Sequence, residues 1–262
     1  MDSLAIAAIT KAFVFLSNDD SSVWSLAKYK TKELLDIDDK MLFEYKIDDI
    51  LASGIRDITF IMNYEKVSFQ EMIQKIERYK EYHFKFIVDD LVNSPVNALL
   101  LIRRLGMHEA FYFTTLDDLV IGATDSVTKQ LIKSFGFVRD MILGGEQAGG
   151  NATWRYDVIV PDYEMAFLSF LVKVKEVLPY HPSMEMSNKV GMVKRWVLTP
   201  AFLDYIEDHK YDHIGMADYI SAFIKRTKKR VFVCFYQGKV FDISTVLGYE
   251  TAKNFFKTKT ND

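Results

Sequence analysis

The chain carries a single cysteine, Cys234, in 262 residues. That excludes a disulfide framework within one chain and fits a reducing compartment. Positive charge is not in surplus: 33 Lys and Arg stand against 36 Asp and Glu, for a formal net charge of -3. A nucleic-acid binder would carry a basic excess or stripe, so that class is set aside. The local basic run Lys225-Arg226-Thr227-Lys228-Lys229-Arg230 reads as a solvated helix end before an apolar strand. No apolar stretch reaches membrane-spanning length. The N-terminus has Asp2 and no basic region, which makes Leu4 to Ile9 a poor secretory signal. There is no internal repeat and no low-complexity segment. The expected location is cytoplasmic, without nucleic acid or membrane as partner.

One further absence bears on function. Ala12-Phe13-Val14-Phe15-Leu16 is an apolar run of strand length, followed by the polar loop Ser17-Asn18-Asp19-Asp20-Ser21-Ser22. Lys28, Lys30 and Lys32 come next, then a helical pattern through Tyr45, Ile47, Ile50 and Leu51. A strand, a phosphate-sized loop, lysines and a helix is how many α/β folds open onto a nucleotide. Yet this loop has no glycine and carries two carboxylates, so a triphosphate there meets repulsion instead of a cradle of backbone amides.

Hydrophobic residues make up 49% of the chain, with 20 Phe and 14 Tyr, enough for an aromatic-rich core in one large domain. Strand-like and helix-like segments alternate. Strands are expected at Ile58–Met62, Phe84–Val88, Ala110–Thr115, Trp154–Val160, Met192–Leu198 and Val231–Tyr236. Helices are expected over Phe69–Tyr79, Val96–Leu105, from Pro200 behind the cap Thr199, over Asp218–Ile224 and over Gly248–Phe256. Gly144-Gly145-Glu146-Gln147-Ala148-Gly149-Gly150 reads as an exposed loop or hairpin tip. Met165 to Val177 mixes apolar and basic residues and stays open between helix and strand. Repeated βα units argue for a mostly parallel central sheet flanked by helices.

Four segments resemble the bacterial UTP–glucose-1-phosphate uridylyltransferases of the sugar-nucleotidyltransferase family. Lys11 to Ile55 is similar to the family's opening, with Lys32-Glu33-Leu34-Leu35 where the family has Pro-Lys-Glu-Met-Leu-Pro. Ser94-Pro95-Val96-Asn97-Ala98 stands where the family has Gly-Leu-Gly-His-Ala. Phe111 to Val120 resembles the strand that ends in Gly-Asp-Asp. Asp218-Tyr219-Ile220, Gly238-Lys239-Val240-Phe241-Asp242 and Leu247-Gly248-Tyr249 resemble the closing helix, strand and helix. The resemblance implies a Rossmann-like nucleotidyltransferase fold as one domain over 1–262, with a nucleotide-binding-like half at 11–122 and a sugar-binding-like half and closing helix at 123–262.

The family joins a sugar 1-phosphate to a nucleotide and releases pyrophosphate, working by positioning and charge neutralisation. By resemblance, Asp117 and Asp242 are the Mg²⁺ pair, hard oxygen ligands at strand ends, and Lys32 is the phosphate lysine. The remaining positions depart. The family's Gly-Leu-Gly-Thr-Arg becomes Asn18-Asp19-Asp20-Ser21-Ser22, so Ser22 replaces a bidentate phosphate donor. One like-charge contact at about 5 Å and an effective dielectric near 20 costs roughly 3 kcal/mol. Asp89 takes the place of the uracil-reading glutamine. Ser94 and Val96 replace glycines that let the base lie close to backbone. Leu116 replaces a small residue. Lys194 stands near a glycine beside the sugar, Asp157 replaces another glycine, and Glu176 is the nearest counterpart of the sugar-motif glutamate.

The candidate set is therefore Asn18, Ser22, Asp89 and Ser94 for nucleotide, Glu176 and Lys194 for sugar, Asp117 and Asp242 for metal, and Lys32 for catalysis if catalysis survives. Mg²⁺ is expected only in that case. The favoured reading is a non-catalytic paralogue that binds a partner or a phosphorylated ligand. The alternative is an active uridylyltransferase or related nucleotidyltransferase using UTP and a sugar phosphate. Either implies a homo-oligomer or a hetero-oligomer with a related enzyme.

Overall fold

The structure is a computed structural model that describes residues 9–17, 31–147, 156–181, 183–184, 189–210, 212 and 214–259. In chain order its elements are β1 (Lys11–Phe15), β2 (Asp36–Ile37), β3 (Lys40–Met41), α1 (Leu42–Ala52), β4 (Asp57–Met62), α2 (Val67–Lys75), β5 (His83–Val88), α3 (Pro95–Arg104), β6 (Phe111–Thr115), β7 (Asp118–Ile121), α4 (Val127–Val138), β8 (Met141–Gln147), β9 (Val158–Leu168), β10 (Leu171–Leu178), β11 (Val190–Leu198), α5 (Pro200–Asp208), α6 (Met216–Thr227), β12 (Val231–Phe235), β13 (Lys239–Asp242) and α7 (Val246–Lys259).

Nine strands form one sheet in the order β5-β4-β1-β6-β11-β8-β12-β10-β9. Only β11 and β10 run against the others, so the sheet is mixed but mostly parallel in direction. The two faces follow from the period-2 alternation of strand side chains. Phe13 and Phe15 of β1 join a core with Leu99 of α3, Phe202 of α5 and Tyr219 of α6. Ala12 and Val14 face the other way, into a core with Ile47 of α1, Phe69 of α2 and Leu131 of α4. A short ribbon of β7 and β13 stands apart from the sheet, and α7 packs on it through Phe241, Tyr249 and Ala252. Helix starts are set by local chemistry: Ser94 caps α3 by accepting from Asn97 N, with Pro95 at the first turn.

Three segments differ from the sequence reading. The run from Gly144 is not an exposed tip. Gly144 and Gly145 are buried inside β8, between β11 and β12; Ala148 to Gly150 lie outside the described residues. A Cβ on Gly145 would stand 2.2 Å from Val233 Cγ2. These glycines serve close approach between strands and not a turn. The open stretch from Met165 is an antiparallel hairpin of β9 and β10 with register shifts. The expected strand from Trp154 starts at Val158, and Trp154 itself lies outside the described residues.

Gly248 closes the ribbon. A Cβ there would stand 1.7 Å from the carbonyl oxygen of Asp242, so α7 can sit against the end of β13 only with glycine at this position. Helix propensity alone favours Gly248→Ala by about 1 kcal/mol. The overlap reverses that sign, and we expect the variant to lose about 1–3 kcal/mol of unfolding free energy in urea titrations. An unchanged or raised midpoint would contradict the close approach.

Candidate functional site

The site lies where β6 ends and the β7–β13 ribbon begins. Two consecutive acids, Asp117 and Asp118, leave this junction toward different partners. Asp117 is buried. Its Oδ1 accepts from Lys32 Nζ at 2.5 Å and from Ser17 Oγ at 3.0 Å, and Lys32 Nζ also donates to Ser17 Oγ at 2.9 Å. Its Oδ2 accepts from Lys194 Nζ at 2.8 Å. Asp118 is buried as well. Its Oδ1 accepts from Lys46 Nζ and its Oδ2 from Arg195 Nε, both at 2.7 Å. Arg195 Nη1 continues to Asp49 Oδ2 at 2.9 Å, and Asp49 in turn accepts the first backbone N–H groups of α4, from Val127 and Thr128. That carboxylate meets the positive end of the helix.

Consecutive acids are thus matched by consecutive bases. Lys194 and Arg195 belong to β11, where the pairing with β8 shifts register between Val193 and Trp196. Along a strand their side chains take opposite faces, so Lys194 reaches Asp117 and Arg195 reaches Asp118. Thr114 fixes this stretch: its Oγ1 donates to the Lys194 carbonyl at 2.7 Å, and Lys46 Nζ lies 3.3 Å from the same Oγ1. The ribbon adds Asp242, which pairs with Asp118 across the two strands. Ile243 N donates to the Asp117 carbonyl at 3.0 Å. Asp242 Oδ1 accepts from Ser244 N at 3.0 Å and Ser244 Oγ at 2.5 Å.

Charges here are strongly coupled. Burial alone would raise the Asp117 carboxyl, but the ammonium groups of Lys194 and Lys32 outweigh it and hold the group well below the usual carboxylate range. Burial and the Arg195 guanidinium push Lys46 down to about 8, against the pull of Asp118. Glu146, on β8, accepts from Val240 N at 3.2 Å. Burial pushes its carboxyl up to about 7, with the Val240 N–H opposing and Asp118 adding.

Lys32, Asp117, Lys194 and Asp242 are brought together. Lys194, expected on the sugar side, is bonded to Asp117. Glu176 pairs with Lys225 of α6 at 3.3 Å. Asp89 follows β5 and accepts from Leu91 N at 2.9 Å, and Ser94 serves as the cap of α3. Asn18 and Ser22, with Asp19, Asp20, Lys28 and Lys30, lie outside the described residues. Lys46, Asp49, Asp118 and Arg195 were not anticipated. The signal for Asp118 and Arg195 was in the sequence: Asp117-Asp118 and Lys194-Arg195 are two adjacent pairs of opposite sign, both at strand ends or within strands that become neighbours.

The donor set does not fit Mg²⁺ as it stands. Mg²⁺ takes near-octahedral oxygens at about 2.0–2.1 Å. Both oxygens of Asp117 already accept from ammonium groups, and a divalent ion about 3 Å from the Lys194 ammonium would meet repulsion on the order of 10 kcal/mol at an effective dielectric near 20. Among the described residues no group of three or more His, Cys, Asp or Glu side chains is placed to hold a metal ion.

No family model matches the chain. It is similar to the UTP–glucose-1-phosphate uridylyltransferase of Pseudomonas aeruginosa, 23% identical over 250 residues, covering 87% of this chain and 88% of that protein. The uridylyltransferase of Bacillus subtilis is 24% identical over 245 residues, covering 86% and 82%. Among solved structures, a UDP-glucose pyrophosphorylase complexed with UDP-glucose superposes with a TM-score of 0.81 at 21% identity, covering 96% of this chain and 99% of that one. A putative glucose-1-phosphate thymidylyltransferase from Bacillus anthracis, in complex with a sucrose, gives 0.75 at 14% identity, covering 94% of each. Among the described residues no helix is long and apolar enough to cross a membrane.

Two stability outcomes follow from the buried charges. Asp118→Ala strands Lys46 and leaves Arg195 with Asp49 alone, and we expect a loss of about 3–5 kcal/mol in urea unfolding. A loss below about 1 kcal/mol would contradict the pairing. Glu146 holds its proton in the folded state up to about 7, whereas an unfolded glutamate releases it near 4.3. Its contribution is present on the acid side and is lost as pH rises through that window. The urea midpoint of Glu146→Gln should therefore pull ahead of the parent as pH rises from about 4.3 to about 7, and the lead should level off above that. A difference that does not change with pH would sink this assignment.

Proposed function

We propose that this chain, a divergent relative of the sugar nucleotidyltransferases, no longer performs nucleotidyl transfer and acts by binding, either a phosphorylated ligand in the cleft or a related enzyme. The observation that carries this reading is Asp117: both carboxylate oxygens accept from lysine ammonium groups, Oδ1 from Lys32 and Oδ2 from Lys194. Nucleotidyl transfer from a triphosphate depends on cations that neutralise the phosphates as the bond to pyrophosphate breaks. A carboxylate committed to two ammonium groups has little left to offer such an ion. The loop from Asn18 to Ser22 supports the same reading from sequence, since it lacks both glycine and arginine and carries two acids.

The competing reading is an active enzyme, favoured by the breadth of the match to the two uridylyltransferases. Pyrophosphate release from UTP and glucose 1-phosphate in Mg²⁺ separates the two. We expect no release above the protein-free control. Thermal shifts with UTP, glucose 1-phosphate and nucleotide sugars should be the same with and without Mg²⁺. Mg²⁺-dependent turnover that disappears in Asp117→Ala would overturn the proposal.

A further inference from the structure

Four charged side chains stand together where β6 meets the β7–β13 ribbon, and their formal charges cancel: Asp117 and Asp242 against Lys32 and Lys194. Lys32 is buried, with its side chain 3% exposed. Lys194 is different. It reaches Asp117 Oδ2 with a side chain that keeps 34% of its surface open, and its charge is felt by Asp242 as well as by Asp117. An ammonium bonded to the buried carboxylate of Asp117, and within reach of the charge of a second buried carboxylate, Asp242, has the charge arrangement of a carboxylate-bound cation, except that the cation is tethered to the chain.

The tether is itself built. Lys194 sits at the register shift of β11 against β8. Its carbonyl accepts from Thr114 Oγ1, and its neighbour Arg195 is locked to Asp118 and Asp49. The lysine therefore does not need to find Asp117; the strand delivers it. On the opposite side, Ser244 occupies Oδ1 of Asp242 through both its N–H and its hydroxyl, while Oδ2 of Asp242 has no bonded partner among the described residues. Oδ2 of Asp117 is the oxygen that removal of the ammonium would release.

We propose that the Lys194 ammonium is the permanent cation of this cleft: it holds the place at Asp117 and Asp242 that a divalent metal ion would take, and its removal opens a metal site. Lys194 is then a positioning and exclusion residue, and ligand binding in the cleft is independent of divalent metal. The inference concerns the same cleft as the function proposed above. Its test reads metal binding and not turnover, so either can fail without the other.

The probe is Mn²⁺, followed by loss of the free-ion electron paramagnetic resonance signal, with Mg²⁺ as competitor. The full chain is compared with Lys194→Ala, Lys194→Met and Lys194→Arg, each first checked for a parental circular dichroism spectrum and cooperative melting. Met keeps the apolar stem, so it guards against a fold that fails for lack of packing. Both charge-removing variants should bind one equivalent of Mn²⁺ at least tenfold more tightly than the parent. Lys194→Arg should exclude it as the parent does, and Asp117→Asn combined with Lys194→Ala should abolish the gain. Mn²⁺ should raise the melting temperature of Lys194→Ala and leave that of the parent unchanged. A parent that binds Mn²⁺ as tightly as Lys194→Ala would overturn the proposal. So would a well-folded Lys194→Ala and Lys194→Met that gain no affinity.

Discussion

Two adjacent carboxylates at the end of β6 each receive two cations, and the arrangement of this molecule around its cleft follows from that pairing. Asp117 takes Lys32 and Lys194; Asp118 takes Lys46 and Arg195. Buried charges survive only when paired and hydrogen-bonded, because desolvation of an isolated ion is costly. The pairs therefore constrain four segments at once. The stretch after β1 supplies Lys32, α1 supplies Lys46 and Asp49, β11 supplies Lys194 and Arg195, and the β7–β13 ribbon carries Asp118 opposite Asp242. Displacing any of these leaves a charge without its partner.

The two pairings have different consequences. Asp118 is fully paired within a buried network in which Lys46, Arg195 and Asp49 bind α1, α4 and β11 into one unit. Its work is structural. Asp117 is buried too, but beside a lysine, Lys194, that remains open on one side. There the cation, as proposed, is assigned to the protein itself. A tethered ammonium differs from a metal ion in two respects: it cannot dissociate, and it carries one charge with three directed donors instead of two charges with an octahedral shell. On the proposed reading, a site built on the first is poorly equipped to disperse the charge of a departing pyrophosphate.

Much of the fold was legible in the sequence because its elements announce themselves locally. Ala12 to Leu16 is too short and too apolar for anything but a buried strand, Ser94-Pro95 marks a helix start by its capping bond, and at Thr199-Pro200 the proline marks it without a side-chain cap from Thr199. Other segments were hidden. Gly144 and Gly145 carry a turn signal in any local reading, and only the approach of Val233 shows that they serve strand packing. In β9, Tyr163, Met165 and Phe167 stay exposed, so the apolar alternation there does not report a buried face. Of the site, Lys32, Asp117 and Asp242 were marked by their positions in recognisable segments. Lys46 was not, since an isolated charged residue reads as surface until the strands that surround it are known; Arg195 showed only as the neighbour of Lys194 in an adjacent pair opposite in sign to Asp117-Asp118. Lys194 was assigned to the sugar side because it stands near a family glycine beside the sugar; its bond to Asp117 is seen only once β11 is in place with its register shift.

The central claim is that the cation at Asp117 belongs to the protein. The most direct measurement is a crystal structure of the unaltered chain grown in excess Mn²⁺ and recorded for anomalous scattering. The account predicts no anomalous peak at Asp117 or Asp242, with the Lys194 ammonium within about 3 Å of the Asp117 carboxylate. A Mn²⁺ peak bridging the two aspartates, with Lys194 swung away, would contradict it.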